Sequence, residues 1–445
     1  MSKDEAKPEA VNSRNSSKSK KTSRIEVTPG MFSGAAQTVS PKAGIVMAIF
    51  TVFTLLAFGV FGNPADVTFK LAEKGHLMSV PDFTVSSSGF SLLLGGLMGF
   101  ITIAATLLTL RSKHTPIWLS LVFGLLGATA LLAWLAAGAS VPVSFILSNA
   151  VVLAVPIILG ALGGVMSERV GVVNIAIEGQ LLTGAFVAAV VGSLTDNLWL
   201  GLLTAAIASA LLSMSLASLA IKYLVDQIII GVLINVLVIG VTNFLYSQWL
   251  ASDGENANFP GTFEIVRIPF LSDIPVIGEA LFANRVTVYL TLVLVPLVWF
   301  MLFRTKLGLR ARAVGEHPLA ADTVGINVGR TRFWWVTAGG AIAGIGGAAL
   351  TIGNVGAFGR EMSGGLGFIA LAVVILGRWQ PFYVAASALL FGFAIIMRIW
   401  ANQVSPGIPT DFITMVPYLV TLIAVTGFAG KVRPPAASGQ PYTKG

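Results

Sequence analysis

Long apolar runs separated by short polar connections make up most of the chain from residue 44 onward. They fall at about 44–62, 89–110, 116–138, 145–166, 172–193, 198–221, 228–249, 286–303, 334–352, 366–377, 381–400 and 411–428. A helix needs about 20 apolar residues to cross about 30 Å of hydrocarbon, and most of these runs approach that length. They are too long and too continuous for the alternating, roughly ten-residue strands of a membrane barrel. The pattern predicts an all-α, polytopic helical membrane protein with about 10–12 transmembrane segments, including broken half-helices. Run 366–377 is too short to span untilted, and a polar stretch interrupts 145–193. Two half-membrane segments in place of two crossings would leave ten or eleven, by the same length rule of about 20 residues.

The polar positions divide the chain. Residues 1–42 are rich in Ser and Lys and have the composition of a disordered tail. Lys18, Lys20, Lys21, Arg24 and Lys42 precede the first apolar run, which puts this tail in the cytoplasm by the positive-inside tendency. Counting twelve crossings places Lys222, the loop 304–333, Arg378 and the tail residues Lys431 and Arg433 on the same side. The sparsely basic connections 63–88, 250–285 and 401–410 then lie outside. Both termini are expected in the cytoplasm, in a multi-pass membrane protein. The first three runs hold few polar residues and end at a small-residue connector at 137–143. We therefore expect a peripheral addition at 43–140, a working core at 145–430 and a short cytoplasmic tail at 431–445.

Composition sharpens the class. Of 445 residues, 55% are hydrophobic and 11% charged, against about 25% charged in soluble domains. Mean hydropathy is +0.84. The net charge of +8 resides in the N-terminal tail and short loops, so it orients helices rather than binding nucleic acid. There is no cysteine, which excludes thiol chemistry, and the three histidines are far apart. No G-x-x-x-x-G-K-[ST] phosphate loop, H-E-x-x-H or G-x-S-x-G occurs. The chain is not expected to be an enzyme or to hold a cofactor of its own.

Two interruptions stand out. "SERVGVVNIAIEGQ" (167–180) sets Glu168, Arg169, Asn174, Glu178 and Gln180 between apolar runs, among Gly163, Gly164, Gly171 and Gly179. Polar groups in a membrane segment face a bundle interior or a water-filled path. Asn174 and Glu178, four apart, would share a helix face. Glu168 and Arg169 read as an interfacial charge pair at a helix end. The second interruption, "GNVGAFGREMSGGLGFIALAVVILGRWQP" (353–381), again sets glycines and charges before a short half-span. Paired Gly-interrupted segments point to a transporter pathway. Asn174, Glu178, Gln180, Asn235, Ser363 and Phe368 are the candidate path residues; each polar one could equally bond another helix. The "GGAIAGIGGAAL" stretch (339–350) has small-xxx-small spacing suited to close helix packing.

The loop "RTKLGLRARAVGEHPLAADTVGINVGRTR" (304–332) is the longest basic connection. Pro318 suits the first turn of a helix and Gly325 its end. The spacing predicts a short helix from Pro318 to Val324 presenting Leu319, Ala320, Ala321 and Val324, either a solvated connector or a docking peg for a partner protein.

Together, "LGGVMSERVGVVNIAIEGQLLTGAF", "DQIIIGVLINVLVIGVTNFL", the 304–332 loop, "GLGFIALAVVILGRWQP" and the final "GKVRPPAASGQPY" resemble the permease subunits of ABC importers for nucleosides and simple sugars. These belong to the wider group of ribose-type and branched-chain amino acid permeases, and the nucleoside branch is the most similar. The resemblance covers about 145–442; residues 1–140 fall outside it. It implies pairing with a second, related permease and with an ATPase that binds ATP and Mg, and solute delivery by an extracytoplasmic binding lipoprotein. It also implies that Gly315, Glu316, His317, Pro318, Leu319, Ala320, Ala321 and Asp322 form the cytoplasmic coupling helix that touches the ATPase. Members often have Gly where this chain has Ala176. A stand-alone secondary transporter or channel, and a membrane scaffold, are the competing readings of the same pattern.

Overall fold

The computed structural model describes residues 42–71, 81–111, 116–251, 257–404 and 433–443. The last apolar run, 411–428, and the N-terminal tail up to residue 41 lie outside the described residues. The helices are α1 (Lys42–Phe53), α2 (Ser87–Leu110), α3 (Ile117–Leu135), α4 (Val143–Glu168), α5 (Ile177–Thr195), α6 (Leu198–Ala217), α7 (Gln227–Leu245), α8 (Ile277–Phe282), α9 (Val286–Arg304), α10 (Lys306–Glu316), α11 (Pro318–Thr323), α12 (Val328–Leu350), α13 (Leu366–Leu376) and α14 (Pro381–Val404). Wider π-helical turns extend α1, α6, α7 and α12. Among the described residues, eight helices are long and apolar enough to cross a membrane, and three shorter apolar helical stretches accompany them. The protein is a polytopic all-α membrane protein.

Helix starts follow local chemistry. Asn197, Asp226 and Asn327 accept hydrogen bonds from the first free backbone N–H groups of α6, α7 and α12. Five short strands, not anticipated from the pattern, fall in the connections that face one end of the bundle. Asp66–Lys70 pairs antiparallel with Phe83–Ser86 and parallel with Ser140–Pro142. Ile265–Arg267 pairs antiparallel with Ala283–Arg285.

Helices α1 to α3 pack on one another through Met47, Met98, Ala105 and Phe123. They meet the remainder through a second cluster, in which Phe69, Leu132 and Ala136 contact Ile146 of α4 and Met397 and Trp400 of α14. The centre of the molecule is α12, wedged among α4, α5 and α6. Small residues make that possible. A Cβ on Gly163 would lie 2.5 Å from the carbonyl oxygen of Gly339, and one on Gly344 would lie 2.5 Å from that of Ala205. The small-residue stripe is therefore packing surface for three neighbours at once.

One expectation is corrected. The run 172–193 becomes helical only at Ile177. Gly171 adopts φ +85°, and residues 172–174 have no regular secondary structure. Asn174 thus precedes α5, and its four-residue spacing from Glu178 does not put the two on one helix face.

Candidate functional site

The first interruption, 167–180, contains an eight-residue break between α4 and α5, at the end of the bundle where α7 starts. The Val173 N–H donates to Gln227 Oε1 at the first residue of α7, 2.7 Å away. Glu178 then sits in the first turn of α5. Its neighbour Ile177 packs between Gly160 and Gly164, within α4 rather than beyond its end.

The second interruption meets the first here. Glu178 is buried, and its carboxylate accepts three hydrogen bonds from the chain entering α13: Ser363 Oγ at 2.7 Å and Gly365 N at 2.8 Å on Oε1, and Gly367 N at 2.6 Å on Oε2. The N–H groups at a helix start lack intrahelical partners, and a negative charge there is favoured by the helix dipole. Hydrogen bonds to a charged group contribute about 1.5–3 kcal/mol each. Gly367 is required by contact: a Cβ there would overlap the Glu178 backbone.

The other end of α13 is held by the same stretch. The helix closes into a turn whose Arg378 and Trp379 take positive φ, +51° and +53°. Trp379 Nε1 donates to the buried carboxylate of Glu168. Arg169 Nε and Nη2 donate to the Trp379 carbonyl at 3.1 and 3.0 Å. Glu168 and Arg169 do mark the end of α4, yet they act on this turn rather than as an isolated pair. The Arg169 guanidinium also lies over the Phe303 ring, with Arg312 over the same ring. Burial draws Arg169 below its ordinary pKa; Glu316 opposes this and Arg312 adds to it. A guanidinium remains charged regardless.

The other candidates face inward. Asn174 and Gln180 exchange two amide hydrogen bonds at 3.1 and 3.2 Å, and Gln180 Nε2 donates to Ser213 Oγ at 2.7 Å. Asn235 bridges α7 to the break: its Oδ1 accepts from Gly179 N and its Nδ2 donates to the Ile175 carbonyl. Ser363 is buried against Glu178, whereas Phe368 is half exposed. The polar candidates are thus occupied by partners within the protein.

Charged groups that the sequence reading left unassigned lie on an open face. Glu361 and Arg360 are exposed. Glu361 Oε1 accepts from Asn243 Nδ2 at 2.8 Å, and Arg360 Nη2 donates to Ser247 Oγ at 2.7 Å. Asn243 Oδ1 is buried with no hydrogen-bond partner. Asn243 lies about 10 Å inside the last residue of the helical stretch Gln227–Leu250, at about 1.5 Å per residue. From Arg360 the chain runs non-helically past exposed Gly364 to Gly365, and half-exposed Phe368 follows in the first turn of α13.

The basic loop contains two helices rather than one. The α10 helix was missed; Thr305 caps it by accepting from Gly308 N at 3.1 Å. The short helix α11 opens with Pro318 at its first position and ends before Gly325, at φ +82°. Glu316, His317, Leu319, Ala320 and Val324 are exposed, and Pro318 and Asp322 are partly covered. Ala321 is not presented: it is buried with Val314 and Val328. Gly315 is buried because α10 packs backbone to backbone on Arg169.

The chain after residue 433 lies on this same end. Ala437 N donates to the Gly315 carbonyl at 2.9 Å, and Gly439 N to that of Gly171 at 3.2 Å. Buried Arg332 donates to the Gln440 carbonyl at 3.0 Å. Burial, then the nearby Asp322 carboxylate, push the Tyr442 phenol above its ordinary pKa. Among the described residues no group of three or more His, Asp or Glu could hold a metal ion.

The family model for the branched-chain amino acid transport system permease component matches residues 146–425. A guanosine ABC transporter permease protein of Bacillus subtilis is 40% identical over 316 residues, which cover 68% of this chain and 97% of that protein. A nucleoside ABC transporter permease protein of Lactococcus lactis is 36% identical over 67% of this chain and 96% of its own length. A putative glucose ABC transporter permease protein of Haloferax volcanii is 35% identical over 58% of this chain and 78% of its own. No solved structure matches the chain. With its membrane helices, paired interruptions and family match over more than half its length, this chain belongs to the branched-chain amino acid transport system permease family.

Proposed function

We propose that this chain is the membrane-spanning permease subunit of an ATP-driven importer that moves nucleosides into the cell. The observation that carries the reading is the clasp between the two interrupted segments: one stretch, Glu168 to Glu178, holds both ends of the half-helix α13. Half-helices opposed in this way are the construction expected around a solute pathway. A rearrangement that releases either end would shift α13 and the 359–365 chain together.

The exposed face of that chain is the proposed path. Non-helical backbone at membrane depth is stable only when buried in protein or lining water, and exposed charges at that depth carry the same requirement. Arg360, Glu361, Gly364 and Phe368 are therefore assigned to an aqueous path, closed on its far side by a second permease. Asn174, Gln180 and Asn235 hold the break in shape beside it. The basic end is assigned to the cytoplasm, where exposed Leu319 and Ala320 of α11, with Glu316 and His317, meet the ATPase that binds ATP and Mg. A solute-binding lipoprotein would dock at the opposite end.

Nucleosides are favoured over simple sugars because the guanosine and nucleoside permeases are matched over more of their own length than the glucose permease. A stand-alone secondary transporter is disfavoured, since these relatives are ABC transporter permeases. The test is uptake of labelled guanosine into proteoliposomes. Uptake should require ATP, the ATPase and the binding protein; uptake by this chain alone would overturn the reading.

A further inference from the structure

We propose that the C-terminal segment 433–443 is a coupling strap, which transmits movement of the docking helices to the α4–α5 break. This rests on the assignment of α11 as the ATPase contact. Ala437 and Gly439, two residues apart, hydrogen bond to Gly315 beside the docking helix and to Gly171 within the break. The Ala436 N–H lies 3.3 Å from Glu316 Oε2. Tyr442 packs on the Val314, Ala321 and Val328 cluster, which includes the buried residue of α11. Arg332, at the foot of the central helix and 2% exposed, donates to the Gln440 carbonyl.

The geometry leaves little slack. A Cβ on Gly171 would lie 2.8 Å from the Ala437 carbonyl oxygen and 2.9 Å from Arg332 Nη2. Ala437 itself is 2% exposed. The strap thus ties the docking segment, the break and the central helix to one another, beside the direct packing of Gly315 on Arg169 and the short loop between α11 and α12. Displacement of α10 and α11 would draw on Gly171, three residues from Glu168 and seven from Glu178, the two anchors of α13. Tightly packed contacts of this kind pass on discrete shifts rather than absorbing them.

The experiment compares the full-length importer complex with two variants. One lacks residues 433–445; the other, Ala437→Pro, keeps the tail but removes the N–H that bonds Gly315 and fixes φ at that position. ATPase association, ATP hydrolysis and solute uptake are measured on the same proteoliposomes. The expected result is retained association and hydrolysis with uptake per ATP reduced about tenfold, within the range of known coupling energies. Unchanged uptake per ATP in Ala437→Pro overturns the strap. Loss of ATPase association in both variants also overturns it, in favour of a docking role for the tail. If the full-length chain binds no ATPase, the docking assignment fails instead. A tail that merely stabilised the fold would lower the melting temperature and the amount of complex, and would leave uptake per ATP unchanged.

Discussion

Glu178 Oε2 accepts a hydrogen bond from the backbone N–H of Gly367, 189 positions further along the chain. A buried carboxylate normally needs a cation or several donors. Here the donors are the free N–H groups of a helix that starts inside the protein. The contact joins the two interruptions that the sequence shows separately, and it makes the position of α13 depend on one side chain.

Replacing Glu178 by Gln should therefore be costly even though the shape is kept. The amide NH₂ would face an N–H donor, and the charge–dipole attraction would be lost. We expect detergent-solubilised protein to lose about 2 kcal/mol or more of stability and uptake to fall about tenfold or more. Gly367→Ala should act similarly through overlap with the Glu178 backbone. Thermal unfolding and uptake measurements check both; wild-type values for Glu178→Gln would return the residue to an incidental hydrogen bond.

The opposite end of α13 predicts a second effect. Trp379→Phe keeps the ring but removes the indole N–H that satisfies buried Glu168. An unsatisfied buried acceptor costs about 1–3 kcal/mol. The variant should fold, melt lower and show altered protease or exchange protection at 377–381. A local loosening confined to that turn, with α5 unaffected, would separate this anchor from the Glu178 one.

Much of this was legible in the chain. Apolar run length located the membrane helices, and Pro318 with Gly325 marked α11 almost to the residue. The two glycine-rich interruptions were visible, but their mutual contact was not, because spacing within one segment carries no information about a partner far along the chain. The helix-face argument for Asn174 failed for a local reason: Gly171 at positive φ ends the helical run, and helix resumes only at Ile177. Ala321 was read as exposed because a six-residue helix has no periodicity long enough to show which side is covered. The strands between helices are too short to announce themselves by alternation. Ser209 and Ser213, four apart on α6, were a readable signal for partners of Gln180: Ser209 donates to its carbonyl and Ser213 accepts from its side chain.

Burial separates two neighbouring alanines on α11, the helix proposed to dock the ATPase. Leu319→Glu with Ala320→Glu changes only exposed positions, so the membrane fold should stay intact while ATPase co-purification weakens about tenfold or more. Ala321→Glu instead drives a charge into the Val314 and Val328 cluster, and should destabilise the docking segment itself. Pull-down with the ATPase, paired with a melting curve for each variant, checks this. Equal association for the exposed pair and the wild type would remove α11 from the interface.

The absence of cysteine from the chain makes the proposed path directly measurable. Single cysteines at Arg360, Glu361 and Phe368 lie along the assigned aqueous face, whereas one at Leu233 lies on an exposed, wholly apolar part of α7. A membrane-impermeant thiol reagent reacts with the thiolate, which forms in water and not in hydrocarbon. In the assembled importer the first three should therefore react faster than position 233, by about tenfold or more. Added nucleoside should slow labelling at 360 and 361 if solute passes along the exposed face of Arg360 and Glu361. Phe368, in the first turn of α13 beside the Glu178 clasp, should change in reactivity when an ATP analogue is bound, if ATP binding shifts α13 as proposed. Labelling at 360 and 361 no faster than at 233 would mean that protein or lipid covers this face, and the path would have to be sought on another side of α7.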